Sequence, residues 1–158
     1  MDAPFRPAQL RQGGDCGDAA LKVLLAQLRD VGVDNDGRLV GTLAKLRLHR
    51  VWVQGYVVYR DGDVVDIDDG SAVMSFDTRI ILQTDPRVSE RLSVGKYISC
   101  VSTLLPHPSG LVDFEVESVS DLSSKEHALA EVGWWLELAE LYSGSAAAVR
   151  TPASTQAS

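Results

Sequence analysis

The sequence predicts a mainly β chain: one small barrel of five strands, with a helix before it and another after it. Three observations carry this. From His49 onward the apolar, β-branched and aromatic residues follow a period of two rather than helical spacing. Two Asp-Gly pairs, Asp61-Gly62 and Asp69-Gly70, punctuate that stretch as tight turns do. The run from Leu129 to Tyr142, LAEVGWWLELAELY, is helical in character but apolar on most of its sides.

The elements follow in order. Met1 to Gly17 are rich in Gly, Pro, Asp and Gln and read as a flexible arm. Asp18 to Asp30, DAALKVLLAQLRD, has the pattern of an amphipathic helix. Asp18 would cap it, Gly32 would follow its end, and Leu21, Leu24, Leu25 and Leu28 would form its buried stripe. A polar loop from Asp34 to Gly37 leads into a less regular segment ending near Arg47. His49 to Arg60 is the first strand, and Gly55 inside it suggests a bulge or sharp bend. Asp63 to Asp68 is the second strand and Ala72 to Leu82 the third. A polar crossover from Gln83 to Ser93 contains Pro86. Lys96 to Leu105 is the fourth strand, and Leu111 to Val119, after a Pro-rich loop, the fifth.

Three strands in quick succession, a longer crossover and two more strands best match a single five-stranded OB-fold barrel, here with an N-terminal helix and a C-terminal partner-binding helix. SH3-like barrels also have five strands, but their loop lengths fit less well. The domain occupies residues 18–142, flanked by the arm at 1–17 and a Ser/Ala/Thr-rich tail at 143–158 expected to be disordered.

Composition narrows the function classes. A chain of 158 residues allows one compact domain with a core that needs neither disulfides nor metal. A net charge of −7 argues against a strong sequence-independent nucleic-acid binder. Within the barrel, His49 to Ser120, six basic residues face eleven acidic ones, whereas single-strand binders combine a basic groove with stacking aromatics. The two cysteines, Cys16 and Cys100, are far apart and read as reduced thiols. No secretory signal is expected from MDAPFRPAQL, and no run approaches the ~18 apolar residues of a membrane span.

Candidate chemistry is sparse. There is no phosphate loop, dinucleotide fingerprint or nucleophile elbow. His49, His107 and His127 lack zinc-pair spacing. Asp61, Asp63, Asp66, Asp68 and Asp69 do not have calcium-loop spacing and read as solvent-facing turn and strand residues. Trp52 suits either a core position or an exposed anchor in an interface.

The final helix is the informative element. Leu129, Val132, Leu136 and Ala139 form one stripe; Trp135, Leu138 and Tyr142 extend it, and Trp134 and Leu141 carry it further round. A surface helix ordinarily buries a stripe of little more than ~100°. One face should therefore pack on the barrel and another on a partner, with Trp134, Trp135, Leu138 and Leu141 as its hot spot.

Five stretches, LKVLLAQL (21–28), VWVQGYVV (51–58), VGKYISC (94–100), SDLS (120–123) and WWLELAELY (134–142), resemble in order and spacing the RecQ-mediated genome instability protein 2 family. This is the small subunit of a RecQ helicase–topoisomerase III dissolvase. The resemblance implies an OB-fold adaptor without catalysis or cofactor. It would pair with the C-terminal OB-fold of the larger RecQ-mediated genome instability subunit. Through that subunit it would join topoisomerase III alpha and a BLM-type RecQ helicase in the nucleus, for dissolution of double Holliday junctions without crossover. By the same resemblance, Lys22 on the first helix, Trp52 on the first strand and Trp134 on the last helix fall at interface positions. Ser118 stands where the family has a basic residue, so one partner contact must differ. The alternative is an autonomous single-stranded DNA-binding OB protein.

Overall fold

The computed structural model describes residues 20–41 and 49–150, with side chains as far as Ser143. The strands are β1 (Leu21–Lys22), β2 (Gly32–Val33), β3 (Leu39–Val40), β4 (Arg50–Asp61), β5 (Val64–Asp68), β6 (Val73–Asp77), β7 (Tyr97–Pro106) and β8 (Val112–Asp121). The α-helices are α1 (Arg79–Thr84), α2 (Val88–Arg91) and α3 (Ala130–Arg150). The main sheet runs β1-β4-β5-β6-β8-β7, and β7 also pairs with β4, so the sheet closes on itself. The five long strands form the OB-type barrel expected from the sequence.

Period-two alternation fills the barrel. Val51, Val53 and Val57 of β4, Val65 and Ile67 of β5, and Ile98 and Cys100 of β7 all point inward and are buried. Phe76 and Phe114 meet across the closure, ring centroids 5.6 Å apart. Burial pushes the Cys100 thiol up to about 12, so it stays protonated and unreactive.

β4 shapes the barrel because it changes partners along its length. Residues 50–56 pair with β7 and residues 56–61 with β5. The bulge lies between Val57 and Tyr59, where Val58 has no cross-strand partner, and not at Gly55. Gly55 instead permits a close approach: a Cβ there would stand 2.7 Å from both the Asp68 carbonyl oxygen and Ile67 Cγ2.

Three expectations are corrected. The N-terminal helix expected over 18–30 is not formed among the described residues. Leu21–Lys22 is a short strand parallel to β4, pairing Leu21 with Val51 and Lys22 with Trp52, and a single 3-10 turn follows at Leu25–Leu28. Tertiary anchors override the helical pattern. The Val23 N–H donates to the Trp52 carbonyl (3.1 Å), the Leu25 N–H to Asp69 Oδ2 (2.8 Å) and the Ala26 N–H to Ser71 Oγ (3.0 Å). Asp69 is accordingly buried and structural, not a solvent-facing turn residue.

Second, the third strand ends at Asp77 instead of Leu82. The following RIILQT is α1, and the polar crossover contains α2. β6 and β8 pair only at Asp77 and Glu115, and Ile81, Val88 and Leu92 bury themselves beside this thin closure. Arg60 donates from both guanidinium NH2 groups to the Ser89 carbonyl and hydroxyl, each at 2.9 Å, and fastens α2 to β4. Third, the helical backbone continues past Tyr142 to Arg150, into the segment expected as tail. The arm at 1–17, Cys16, the Asp18 cap and residues 151–158 lie outside the described residues.

Gly55→Ala is expected to destabilise the barrel by about 1–3 kcal/mol through overpacking against β5. The urea midpoint should fall with the slope unchanged; an unchanged midpoint would show that β4 and β5 can separate freely at this point.

Candidate partner interface

The C-terminal helix has two apolar faces, one packed on the barrel and one exposed. One face lies on the barrel wall. Trp134 (2 % exposed) and Leu138 are buried there against Trp52, forming a small cluster separate from the barrel core. The Trp52 and Trp134 rings are 5.6 Å apart and tilted by 45°. Trp52 is held from behind, its indole N–H donating to Ser99 Oγ at 2.6 Å.

Lys22 completes this contact. It is only 7 % exposed, with its ammonium 4.4 Å from the Trp52 ring centroid and 5.6 Å from that of Trp134. Its charge is met by an ion pair with Glu137 of α3. A buried ammonium is tolerated when rings and a carboxylate together replace its water. Two further contacts fix the ends of the docked segment. The Tyr142 hydroxyl donates to the Lys22 carbonyl (2.7 Å), and the Tyr56 hydroxyl donates to Glu131 (2.7 Å). Tyr56 also packs on Tyr97, ring centroids 4.9 Å apart. Burial pushes the Tyr142 phenol up to about 12, slightly opposed by Gln27.

The other face is open. Leu129 (77 % exposed), Val132, Leu136 (65 %) and Ala139 point away from the barrel. Their spacing of three, four and three residues is that of a coiled-coil seam. At 3.6 residues per turn, Leu136 lies about 160° round the axis from Leu138. Trp135 sits at the edge of this seam, partly exposed, and its ring would lie 3.4 Å from a Cβ on Gly70. Gly70, at φ +87, makes the β5–β6 turn tight enough for the ring to pass.

The six expected interface residues therefore divide. Lys22, Trp52, Trp134 and Leu138, expected at a partner interface, are buried within this chain and join α3 to the barrel. Lys22 does so from a strand, not from a first helix. Trp135 remains at the surface, and Leu141 is half-buried. The seam had a visible signal in its heptad spacing. Glu137 and Glu131 had none, because their partners come from strands far away in sequence. Ser118 is exposed on β8, opposite Val101. Among the described residues no group of three acidic, His or Cys side chains could hold a metal, and no helix is long and apolar enough to cross a membrane.

A closed five-stranded barrel carrying a docked terminal helix with an open seam defines an OB-fold protein with a helical C-terminal extension. The chain belongs to the family of RecQ-mediated genome instability protein 2, whose model it matches over residues 19–142. Among solved structures it is similar to a chain of the S. pombe Stn1–Ten1 complex. The TM-score is 0.52 at 17% identity, covering 75% of this chain and 88% of that one. At that identity the likeness concerns the fold. A search of curated protein sequences finds no significant match.

Trp134→Ala is expected to cost about 3–5 kcal/mol, as other buried Trp truncations do. Loss should appear as early melting of α3, seen in near-ultraviolet dichroism. A helix that melts with the barrel at the wild-type temperature would show the contact to be weak.

Tyr142 gives a pH signature. Its folded pKa is raised above the ordinary value of 10.0, so its contribution is present below pH 10 and is lost as pH rises towards about 12. Stability measured across that window should fall more steeply in the wild type than in Tyr142→Phe; parallel curves would contradict the buried phenol.

Proposed function

We propose that this chain is a non-enzymatic adaptor in a RecQ helicase–topoisomerase III complex. It pairs through α3 with the C-terminal OB-fold of the larger RecQ-mediated genome instability subunit. By stabilising that subunit it holds topoisomerase III alpha and the helicase together for double Holliday junction dissolution, suppressing crossovers during DNA repair in the nucleus. The observation that carries this reading is the open seam of Val132 and Leu136, continued by Leu129 just before the helix, on a helix already locked to its own barrel. An exposed apolar stripe of this kind marks a protein interface. Prelocking also reduces the ordering cost of association.

On this reading the expected interface residues have two roles. Trp135 and the seam touch the partner, with Leu141 at the margin of the contact. Lys22, Trp52, Trp134 and Leu138 set the direction in which the seam faces. The acidic barrel disfavours autonomous single-strand binding.

The test is recovery of the tagged full chain from nuclear extract, with bound proteins identified by mass spectrometry. The wild type should bring down a large OB-fold subunit, topoisomerase III and a RecQ helicase. Leu136→Asp should lose all three with its own melting temperature unchanged, because the side chain is exposed. Trp134→Ala should lose them together with helix stability. Full recovery with Leu136→Asp would place the interface elsewhere, and retention of oligothymidylate in place of these proteins would favour the single-strand-binding alternative.

A further inference from the structure

The chain enters its fold beside α3. Ala20, the first described residue, packs against the Trp52–Trp134–Leu138 cluster, so the nineteen residues before it start from this helix. The cluster is one acceptor short. Trp134 is 2 % exposed, and its indole N–H has no hydrogen-bond partner among the described residues. A buried donor is ordinarily satisfied, and leaving it unpaired is costly. Asp18 stands two residues, about 7 Å of extended chain, before Ala20 and supplies a carboxylate acceptor.

The open face of α3 is bordered by one sign of charge. Every charged side chain on the described part of α3 is a glutamate: Glu131, Glu137 and Glu140. Glu131 accepts from Tyr56 and Glu137 pairs with Lys22, whereas the Glu140 carboxylate has no partner among the described residues. Glu140 is four residues from Leu136 and so about 40° round the axis, at the rim of the seam. Gly133, about 60° round from Leu136 in the same direction, bears no side chain, and a Cβ there would meet nothing within 4 Å. Glu137 follows at about 100°, with Lys22 against it. A notch therefore leads from the Lys22 side of the helix, where the chain enters, to the seam.

We propose that the N-terminal segment folds back through this notch and covers the seam in the free subunit, as a strap that the partner displaces. Its regulatory role rests on the seam being the partner surface proposed above; the docking itself does not. The segment matches the seam in chemistry and length. Ala3 to Gly14 contains no acid and carries Arg6 and Arg11, each directly after an apolar residue, Phe5 and Leu10. Pro4 and Pro7 favour an extended polyproline-type path, in which Phe5 and Leu10 stand about 15 Å apart. The seam from Leu129 to Ala139 also spans about 15 Å. The ten residues from Leu10 to Ala20 give about 30 Å of chain, enough to pass round the helix. Phe5 and Leu10 then cover the leucines and valine of the seam, with Arg11 beside Glu140. A tethered segment acts at a millimolar effective concentration, so weak contacts suffice and are readily displaced. A second copy of the chain is the poorer occupant, because it brings glutamates against glutamates and a net charge of −7 against its like.

The test uses the full chain, isotope-labelled, with Cys16→Ser and Ala8→Cys carrying a nitroxide; Cys100 is buried and stays unmodified. The label should broaden the amides of Val132, Leu136 and Ala139 more than any in the barrel. Arg6→Glu/Arg11→Glu should abolish this broadening, and Arg6→Lys/Arg11→Lys should keep it. Asp18→Ala should move the Trp134 indole N–H resonance. Broadening that is absent or centred on the barrel strands, or an unmoved Trp134 indole, would overturn the strap. So would broadening carried between molecules in a mixture of spin-labelled and isotope-labelled chains, which would place a second copy on the seam. In nuclear extract, Arg6→Glu/Arg11→Glu should recover the large OB-fold subunit several-fold better than wild type, since the seam no longer has to be uncovered. Equal recovery would overturn the regulatory role. Recovery of no partner by either chain, with the broadening intact, would remove the partner reading and leave the strap standing.

Discussion

The arrangement depends on one buried ammonium. Lys22 lies beside the Trp52 and Trp134 rings and is paired with Glu137, so a strand, the barrel wall and the terminal helix meet at one charge. Water is largely excluded, and removal of either the rings or the carboxylate would leave the charge incompletely compensated. Such an interaction is worth more for specificity of orientation than for net stability. α3 could slide on an apolar wall with little change in buried area. It cannot slide while Glu137 must meet Lys22 and the Tyr142 hydroxyl must meet the Lys22 carbonyl.

Orientation matters because α3 is apolar nearly all round. Without a latch, either face could bury itself and the other would be left in water. With it, Trp134 and Leu138 turn inward and the Leu129–Leu136 seam turns outward. The same chain thus holds an intramolecular contact and a pre-positioned surface on one cylinder. The barrel supports this as a wall: β4 is paired with both β7 and β5 at Tyr56, with both β7 and β1 at Trp52, and Trp52 is tied to Ser99.

The charge distribution differs between the two ends of the domain. At the β4–β5 hairpin, aspartates lie among exposed aromatic and valine side chains. At α3 the exposed surface is a hydrocarbon seam bordered by Glu137 and Glu140. Neither surface is suited to a phosphate backbone.

The sequence by itself determined the barrel. Period-two alternation, Asp-Gly turns and strand order required no distant information, and the observed strands agree to within a few residues over β4, β5, β7 and β8. It also determined that α3 has more apolar surface than its own domain can cover. It did not determine which face went where, because helical periodicity places residues on a cylinder but does not orient the cylinder. That was decided by Glu137 meeting Lys22, a contact across 115 residues of chain. The same cause explains the segment at Leu21–Leu28, whose leucine spacing reads as a helix. Pairing with Trp52, and side-chain acceptors from Asp69 and Ser71, supplied hydrogen bonds that local pattern does not reveal. Local periodicity writes the elements, and long-range polar contacts choose between the packings those elements allow.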